Sequence, residues 1–248
     1  NQRKLQFFFE DGTVLRFNES GPAIKKQTLR KILDCVFSID FTHAKWILIS
    51  GSIPPGIPEN FYAKLINKIR RRGKNTFIGL DTDGKFLEYG IREKPDLIKP
   101  NIWELERLMA KKILNFEHLL KAGQKLLNSG IPFIIVTMGN KGAAGFSKNG
   151  FFYAKGPIIN NPGSVGCGDA LLAGFVLSFS KTGNFKQSLR FAVASGTAKA
   201  ARPFTDFPCP GEVKKILKKT SICGLDDLDE ETKKSLLPEV PEKKSKPD

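Results

Sequence analysis

The chain has 248 residues, 40% hydrophobic and 26% charged, enough for one α/β domain with a sizeable core. Its longest apolar run, Ala170 to Phe179, falls well short of the roughly 18–20 residues a membrane span needs, so no membrane partner is expected. The formal charge is +15, but the lysines are scattered over "KKQTLRK", "NKIRRRGK" and "KKILKK" rather than gathered in an aromatic-interleaved stripe, so nucleic acid is not the expected partner.

In chain order, "KLQFFFEDGTVLRFNE" (Lys4 to Glu19) places two aromatic-rich runs around Asp11-Gly12, which predicts a hairpin. "TLRKILDCVFSI" has helical spacing, and "KWILISG" reads as a buried parallel strand ending at Gly51. "FYAKLINKIRRRG" predicts an amphipathic helix stopped by Gly73. "NTFIGLD" is a second buried strand, "KFLEYGI" a short helix and "PDLIKP" a third strand. Two helices follow, "IWELERLMAKK" and "FEHLLKAGQKLLNSG", then a fourth strand, "IPFIIVTMG", and a hairpin over "AAGFSKNGFFYAKG". Alternating strands and helices indicate βαβ units and a mainly parallel sheet. The front hairpin breaks that alternation and is expected to be an accessory flap. From Leu225 the chain is charged and Pro-containing with little to bury, which predicts a mobile tail with room for one helical turn.

Cys35, Cys167, Cys209 and Cys223 form no CxxC pair, and with only His43 and His118 there is no zinc-ligand spacing. Free thiols and no visible signal peptide predict a soluble, cytoplasmic protein. The chain opens on Asn1 inside a strand-like run, the pattern of a fragment.

The stretch "NNPGSVGCGDALLAGFVLSF" (Asn160 to Phe179) crowds glycines and one carboxylate ahead of an apolar helix. A glycine turn leading into a helix favours an anion through its free N–H groups and the helix dipole. Asp169 then has two readings. As an N-cap it would stabilise the helix by roughly 1 kcal/mol. Beside a transferring phosphoryl group it would accept a proton from the attacking hydroxyl. No G-x-x-x-x-G-K-[ST] occurs, nor the protein-kinase signature set, nor a G-x-S-x-G elbow.

This stretch follows "LISGSIPPGIP", "LIKPNIWELE" and "IVTMGNKGAAGF" in order. Together the four segments, with "NESGP" and "LDTDG", resemble the phosphofructokinase-B type sugar kinases over roughly residues 5 to 220. The branch they are most similar to holds the 1-phosphofructokinases and tagatose-6-phosphate kinases. The resemblance implies a ribokinase-like three-layer α/β/α fold. It implies ATP-dependent phosphorylation of a phosphosugar, fructose 1-phosphate or tagatose 6-phosphate, with Mg²⁺. On that resemblance Asp169 is the base, and Gly166, Cys167 and Gly168 offer amides to the γ-phosphate. Asn101 and Glu104, in "NIWE", organise Mg²⁺ largely through water. Lys99, Thr137, Gly139 and Gly142 line the ATP site, and Gly51 and Ser52 face the sugar phosphate. A homodimer through the lid is compatible with it.

Plainer readings stay open. Glu104 can be an ordinary first-turn acid, Lys99 a solvated strand end, and Gly139 and Gly142 the shape of a hairpin's start. The chain also departs from the branch pattern. Relatives read N-P-x-G-S-G-D, whereas Gly163, Ser164, Val165, Gly166, Cys167, Gly168 and Asp169 stand here, with Asn161-Pro162 two residues early. The family's first βαβ elements and part of its lid lie upstream of the position of Asn1. The expected organisation is a partial lid hairpin over 1–20, a kinase core over 21–223 that lacks its N-terminal part, and a charged tail over 224–248. The alternatives are another ribokinase-like kinase, for ribose or a nucleoside, and a catalytically silent nucleotide-binding relative.

Overall fold

A computed structural model describes residues 4–8, 14–18, 21–41, 43–72, 75–160, 163, 165–203 and 205–237. The front hairpin pairs β1 (Lys4–Phe8) with β2 (Val14–Asn18) antiparallel, from Lys4 opposite Asn18 to Phe8 opposite Val14. This sheet is separate from the main one, as its break in the strand–helix alternation implies. Its Asp11-Gly12 turn lies outside the described residues.

The main sheet runs in simple sequence order: β3 (Trp46–Ser50), β4 (Phe77–Asp81), β5 (Leu97–Ile98), β6 (Phe133–Thr137), β7 (Ala143–Ser147), β8 (Gly150–Lys155) and β9 (Ser221–Gly224). The first four are parallel and the last three pairings antiparallel, so β8 shares the direction of β3 to β6 while β7 and β9 oppose it.

Strand alternation divides the apolar residues into two cores. Ile134 and Val136 of β6, Ile78 and Leu80 of β4, and Phe151 and Tyr153 of β8 face one core. Ile135, Leu97 and Ala154 face the other. Both faces are covered by helices, which is why β6 reads as an unbroken apolar run. The first face carries α1 (Lys26–Ser38), α2 (Phe61–Arg72), α3 (Gly84–Ile91), α4 (Ile102–Met109) and α5 (Phe116–Asn128). The second carries α6 (Cys167–Thr182) and α7 (Phe185–Ala200). The layers are therefore α/β/α.

Small residues let α6 and α7 approach closely. A Cβ on Gly174 of α6 would lie 2.4 Å from Ser195 Oγ of α7, and one on Gly196 would lie 3.1 Å from the Cys167 carbonyl oxygen. Phe175 of α6 is fully buried, stacks on Phe179 at 5.6 Å and meets Trp46 of β3 edge-on at 6.3 Å. Most of the apolar run at Ala170 to Phe179 is core, as its composition predicts, although Leu177 is half exposed. This packing fixes the start of α6 against the sheet.

Two sequence expectations need correction. β3 is parallel, but among the described residues it pairs on one side only and Leu48 is 38% exposed, so within them this strand is not buried on all sides. Its apolar run reflects packing of Trp46 and Ile49, not full enclosure. The region after Leu225 also buries more than its composition suggests. It forms α9 (Glu230–Ser235), capped by Asp229 accepting from Thr232 N, and buries Leu228 and Leu236 in the first core. Two leucines spaced around a polar helix suffice to dock it. The stop residue proposed for α2, Gly73, lies outside the described residues. The remaining helix, α8 (Pro210–Lys218), packs beside α7.

Candidate active site

Parallel strands deliver their C-terminal ends to one rim of a sheet, where α/β proteins bind ligands. Here β3 ends at Ser50, β4 at Asp81 and β6 at Thr137, and Lys99 directly follows β5. Helix α6 starts above this rim. Its N-cap is Gly166, with φ 75° in the left-handed region that glycine tolerates. Cys167, Gly168 and Asp169 form the first turn, whose N–H groups have no acceptor within the helix. The bond from Ala170 N to the Gly166 oxygen, 2.9 Å, begins the helical ladder.

The N-cap reading of Asp169 is therefore wrong: the residue lies inside the first turn, and the cap is a glycine with no side chain. Asp169 is solvent-exposed and faces the strand ends rather than hydrocarbon. Ser50 Oγ lies 3.4 Å from Asp169 Oδ1 and 3.5 Å from Asp81 Oδ2. One hydroxyl proton serves one carboxylate at a time. Asp81 Oδ1 is 3.0 Å from Lys99 Nζ in a largely buried ion pair. Lys99 Nζ in turn lies 3.1 Å from where a Cβ on Gly168 would sit. Ser50, Asp81, Lys99, Gly168 and Asp169 thus close a ring.

Lys99 is 7% exposed, which rules out the solvated-strand-end reading. Burial pushes the Asp81 carboxyl above its ordinary range; the Lys99 ammonium opposes this and the Asp169 carboxylate adds to it.

Asn101 and Glu104 form a reciprocal capping box at the start of α4. Asn101 Oδ1 accepts from Glu104 N at 2.9 Å, and Glu104 Oε2 accepts from Asn101 N at 2.8 Å. The first-turn-acid reading of Glu104 is thus realised, and the cap holds one carboxylate oxygen, Oε2. Burial raises the Glu104 pKa; the Asn101 N–H and the Lys99 charge oppose it, while Asp81 and Asp83 add to it. The Glu104, Asp81 and Asp83 carboxylates are near enough to feel one another's charge, and such a group of oxygens suits a hard cation. Among the described residues no three His, Cys, Asp or Glu side chains converge as a self-sufficient metal cage. The donor set fits an ion such as Mg²⁺ that keeps waters and takes further oxygens from a phosphate.

Thr137 is tied to Asn101 by a β-bridge, with Thr137 N donating to the Pro100 oxygen at 3.0 Å. Gly139 has φ 61° and open space around its missing Cβ, whereas a Cβ on Gly142 would meet the Ala154 oxygen at 2.2 Å. Gly142 is thus required by the hairpin itself. Gly51 has φ 105°, and its oxygen accepts from Thr82 Oγ1 at 2.9 Å and Tyr62 Oη at 3.2 Å. Gly51 and Ser52 are both exposed beside Ser50. Cys167 Sγ donates to the Gly163 oxygen at 3.1 Å. Asn161, Pro162 and Ser164, part of the departure from the branch pattern, lie outside the described residues.

Sequence reasoning assigned no role to Ser50 or Asp81. Both lie within segments that carry the family resemblance, and both are the last residue of a parallel strand, which was the available signal.

The layers, the strand-end rim and the glycine turn before α6 define a ribokinase-like α/β/α protein. The chain belongs to the pfkB family of carbohydrate kinases, whose model matches residues 4–210. It is 40% identical over 193 residues to the 1-phosphofructokinase of Borreliella burgdorferi, covering 77% of this chain and 61% of that protein. It is 31% identical to the 1-phosphofructokinase of Bacillus subtilis, covering 79% of this chain and 64% of that one. The chain thus spans less than two thirds of the length of these relatives. Among solved structures, phosphofructokinase-2 from Escherichia coli in complex with potassium is similar at TM-score 0.78 and 25% identity, over 87% of this chain and 69% of that one. A possible 1-phosphofructokinase from Thermotoga maritima shares the fold at TM-score 0.80 and 22% identity, over 90% of this chain and 71% of that one. Among the described residues no helix is long and apolar enough to cross a membrane.

Proposed function

We propose that this chain carries the ATP-dependent kinase core of a cytoplasmic phosphosugar kinase acting on fructose 1-phosphate or tagatose 6-phosphate. The observation that carries the proposal is the exposed Asp169 carboxylate in the same turn as the Gly166–Gly168 amides, beside the buried Lys99 ammonium. In this reading the sugar hydroxyl attacks the γ-phosphorus of ATP in line. The new O–P bond forms as the bond to the β,γ-bridging oxygen breaks, and ADP leaves. Asp169 takes the hydroxyl proton. The amides of Gly166, Cys167 and Gly168 and the Lys99 ammonium meet the charge on the transferring group. Ser50 Oγ, within hydrogen-bond reach of Asp169 Oδ1, orients the carboxylate. Glu104 and Asn101 would hold Mg²⁺, largely through water; bound there, the ion supplies charge neutralisation of the phosphates. Thr137, Gly139 and Gly142 border the nucleotide, and Gly51 and Ser52 face the sugar phosphate. The hairpin β1–β2 serves as part of a lid on the core of residues 21–223, through which a homodimer would form.

Two measurements test this. ADP release from the protein that contains this chain is followed with fructose 1-phosphate, tagatose 6-phosphate, ribose and adenosine; turnover with neither phosphosugar overturns the proposed substrate class. Asp169→Asn is expected to lower kcat by roughly 10²- to 10⁴-fold with ATP affinity nearly unchanged. A kcat left intact removes Asp169 as the base.

A further inference from the structure

Lys199, the penultimate residue of α7, is the one charged side chain with no solvent exposure among the described residues. Its stem rises toward the glycine turn ahead of α6. Lys199 Cε lies 3.4 Å from where a Cβ on Gly166 would sit, and Nζ stands over the Phe207 ring, 5.8 Å from its centroid. Its charge is felt at the neighbouring Cys167, where it counters the rise that burial imposes on the thiol. The same end of α7 grips the turn through its backbone. Gly163 N donates to the Ala200 oxygen at 2.8 Å, and Gly196 packs against the Cys167 carbonyl.

A cation in the last turn of a helix is favourable against the dipole, but that role is met at the surface and needs no burial. Even a paired ammonium inside a protein costs more than an apolar side chain of the same shape. Lys199 is buried directly against the glycine turn, and that placement points to a role there. The turn above it has the features of an anion site: a left-handed glycine cap and first-turn N–H groups without helical acceptors. Backbone amides carry only partial charge, whereas a terminal phosphate carries up to about two full negative charges.

We infer that Lys199 is an internal counter-charge of the phosphate-binding turn, acting through the Gly166 backbone to hold the turn's shape and raise its affinity for a nucleoside triphosphate. Lys199 is a positioning residue and does not touch the substrate. The inference rests on the nucleotide reading of this site and adds a determinant on α7, outside the motifs that define it.

The test is calorimetric titration of ATP and of adenosine into the protein that contains this chain and into its Lys199→Met and Lys199→Arg variants, with thermal melts of each. Lys199→Met keeps the apolar stem and removes the charge. It is expected to weaken ATP roughly tenfold or more while leaving adenosine affinity in place, because only the phosphate senses the charge. Lys199→Arg is expected to bind ATP close to the unsubstituted chain. An ATP-to-adenosine affinity ratio unchanged in Lys199→Met overturns the inference and leaves the nucleotide reading standing. No ATP binding by the unsubstituted protein that contains this chain overturns the nucleotide reading, and the inference with it. Should the melt show Lys199→Met unfolded, Lys199→Arg decides: a folded Arg variant that has lost ATP selectivity overturns the inference, and one that retains it supports a role for charge.

Discussion

Lys99 Nζ lies 3.1 Å from the point that a Cβ on Gly168 would occupy, so a strand-end lysine and a helix glycine form adjoining walls of one corner at the start of α6. The glycine is helical with ordinary backbone angles, and its role is space rather than conformational freedom. Lys99 cannot simply swing aside, because Asp81 holds it from the other side at 3.0 Å.

Gly168→Ala separates stability from binding. Alanine in a helix is favoured over glycine by roughly 0.5–1 kcal/mol. Against this, the new methyl must displace the ion-paired ammonium by a few tenths of an ångström. The fold is expected to hold its stability within about 1 kcal/mol of the original in urea unfolding. If the phosphate sits beside Lys99 as proposed, ATP binding is expected to fall, because the methyl would take that space. Undiminished ATP affinity would show that the phosphate does not use this corner.

Lys99→Met breaks a largely buried pair and is expected to cost about 3–5 kcal/mol at neutral pH, as removal of one partner strands the other charge. The cost has a defined pH dependence. Burial already raises the Asp81 pKa, and loss of the opposing Lys99 charge raises it further. A carboxyl whose folded pKa is above its unfolded value binds protons more tightly when folded. Its favourable contribution is present at low pH and is lost as pH rises from the unfolded value through the folded one. The gap between Lys99→Met and the unsubstituted chain should therefore narrow on acidification and widen toward neutrality. Urea midpoints measured across that range check it; a pH-independent gap would show that Asp81 does not carry the stranded charge.

Much of this arrangement is legible in the amino-acid sequence. The βαβ order, the helix start at the glycine turn and the segments at the strand ends follow from local pattern, because buried parallel strands and amphipathic helices each leave their own periodicity. Lys99 is assigned to the site by resemblance alone, since a lysine before a proline looks like a solvated strand end. Ser50 and Asp81 carry no local signature, because their importance comes from β3 and β4 ending side by side. Lys199 is invisible for the same reason: nothing in "SGTAKAAR" shows that α7 runs beneath the turn ahead of α6. The docking of α9 escapes notice because two buried leucines, Leu228 and Leu236, stand in a segment whose composition is otherwise polar.

Glu104→Gln tests whether the start of α4 is only a cap. Glutamine serves in a capping box as glutamate does, and its amide oxygen can accept from Asn101 N. Stability should stay within about 0.5 kcal/mol. If Glu104 also organises Mg²⁺, loss of its charge should weaken ATP binding roughly 10- to 100-fold in the presence of magnesium. With the magnesium chelated, the variant and the original should bind ATP alike. Equal affinities under both conditions would leave Glu104 with its capping role alone.

Glu212 reports on the segment between α7 and α8 that carries Phe207. Its carboxylate accepts from Arg202 Nη2 at 2.8 Å and from Cys209 N at 2.8 Å, capping α8. The Arg202 hydrogen bond is the larger cause, and with the Cys209 contacts it holds the carboxyl down at about 2, from an ordinary 4.5. A carboxyl depressed in the folded state contributes stability that is present above its unfolded pKa. That contribution is lost as pH falls through the folded one. Both side chains are more than a third exposed, so solvent screening keeps the contribution small. Glu212→Gln should therefore lower the urea midpoint modestly at neutral pH, with the difference shrinking between about pH 4.5 and 2 and raised salt reducing it at neutral pH. A difference that persists unchanged at the acid end would assign the effect to the neutral cap geometry rather than to the pair with Arg202.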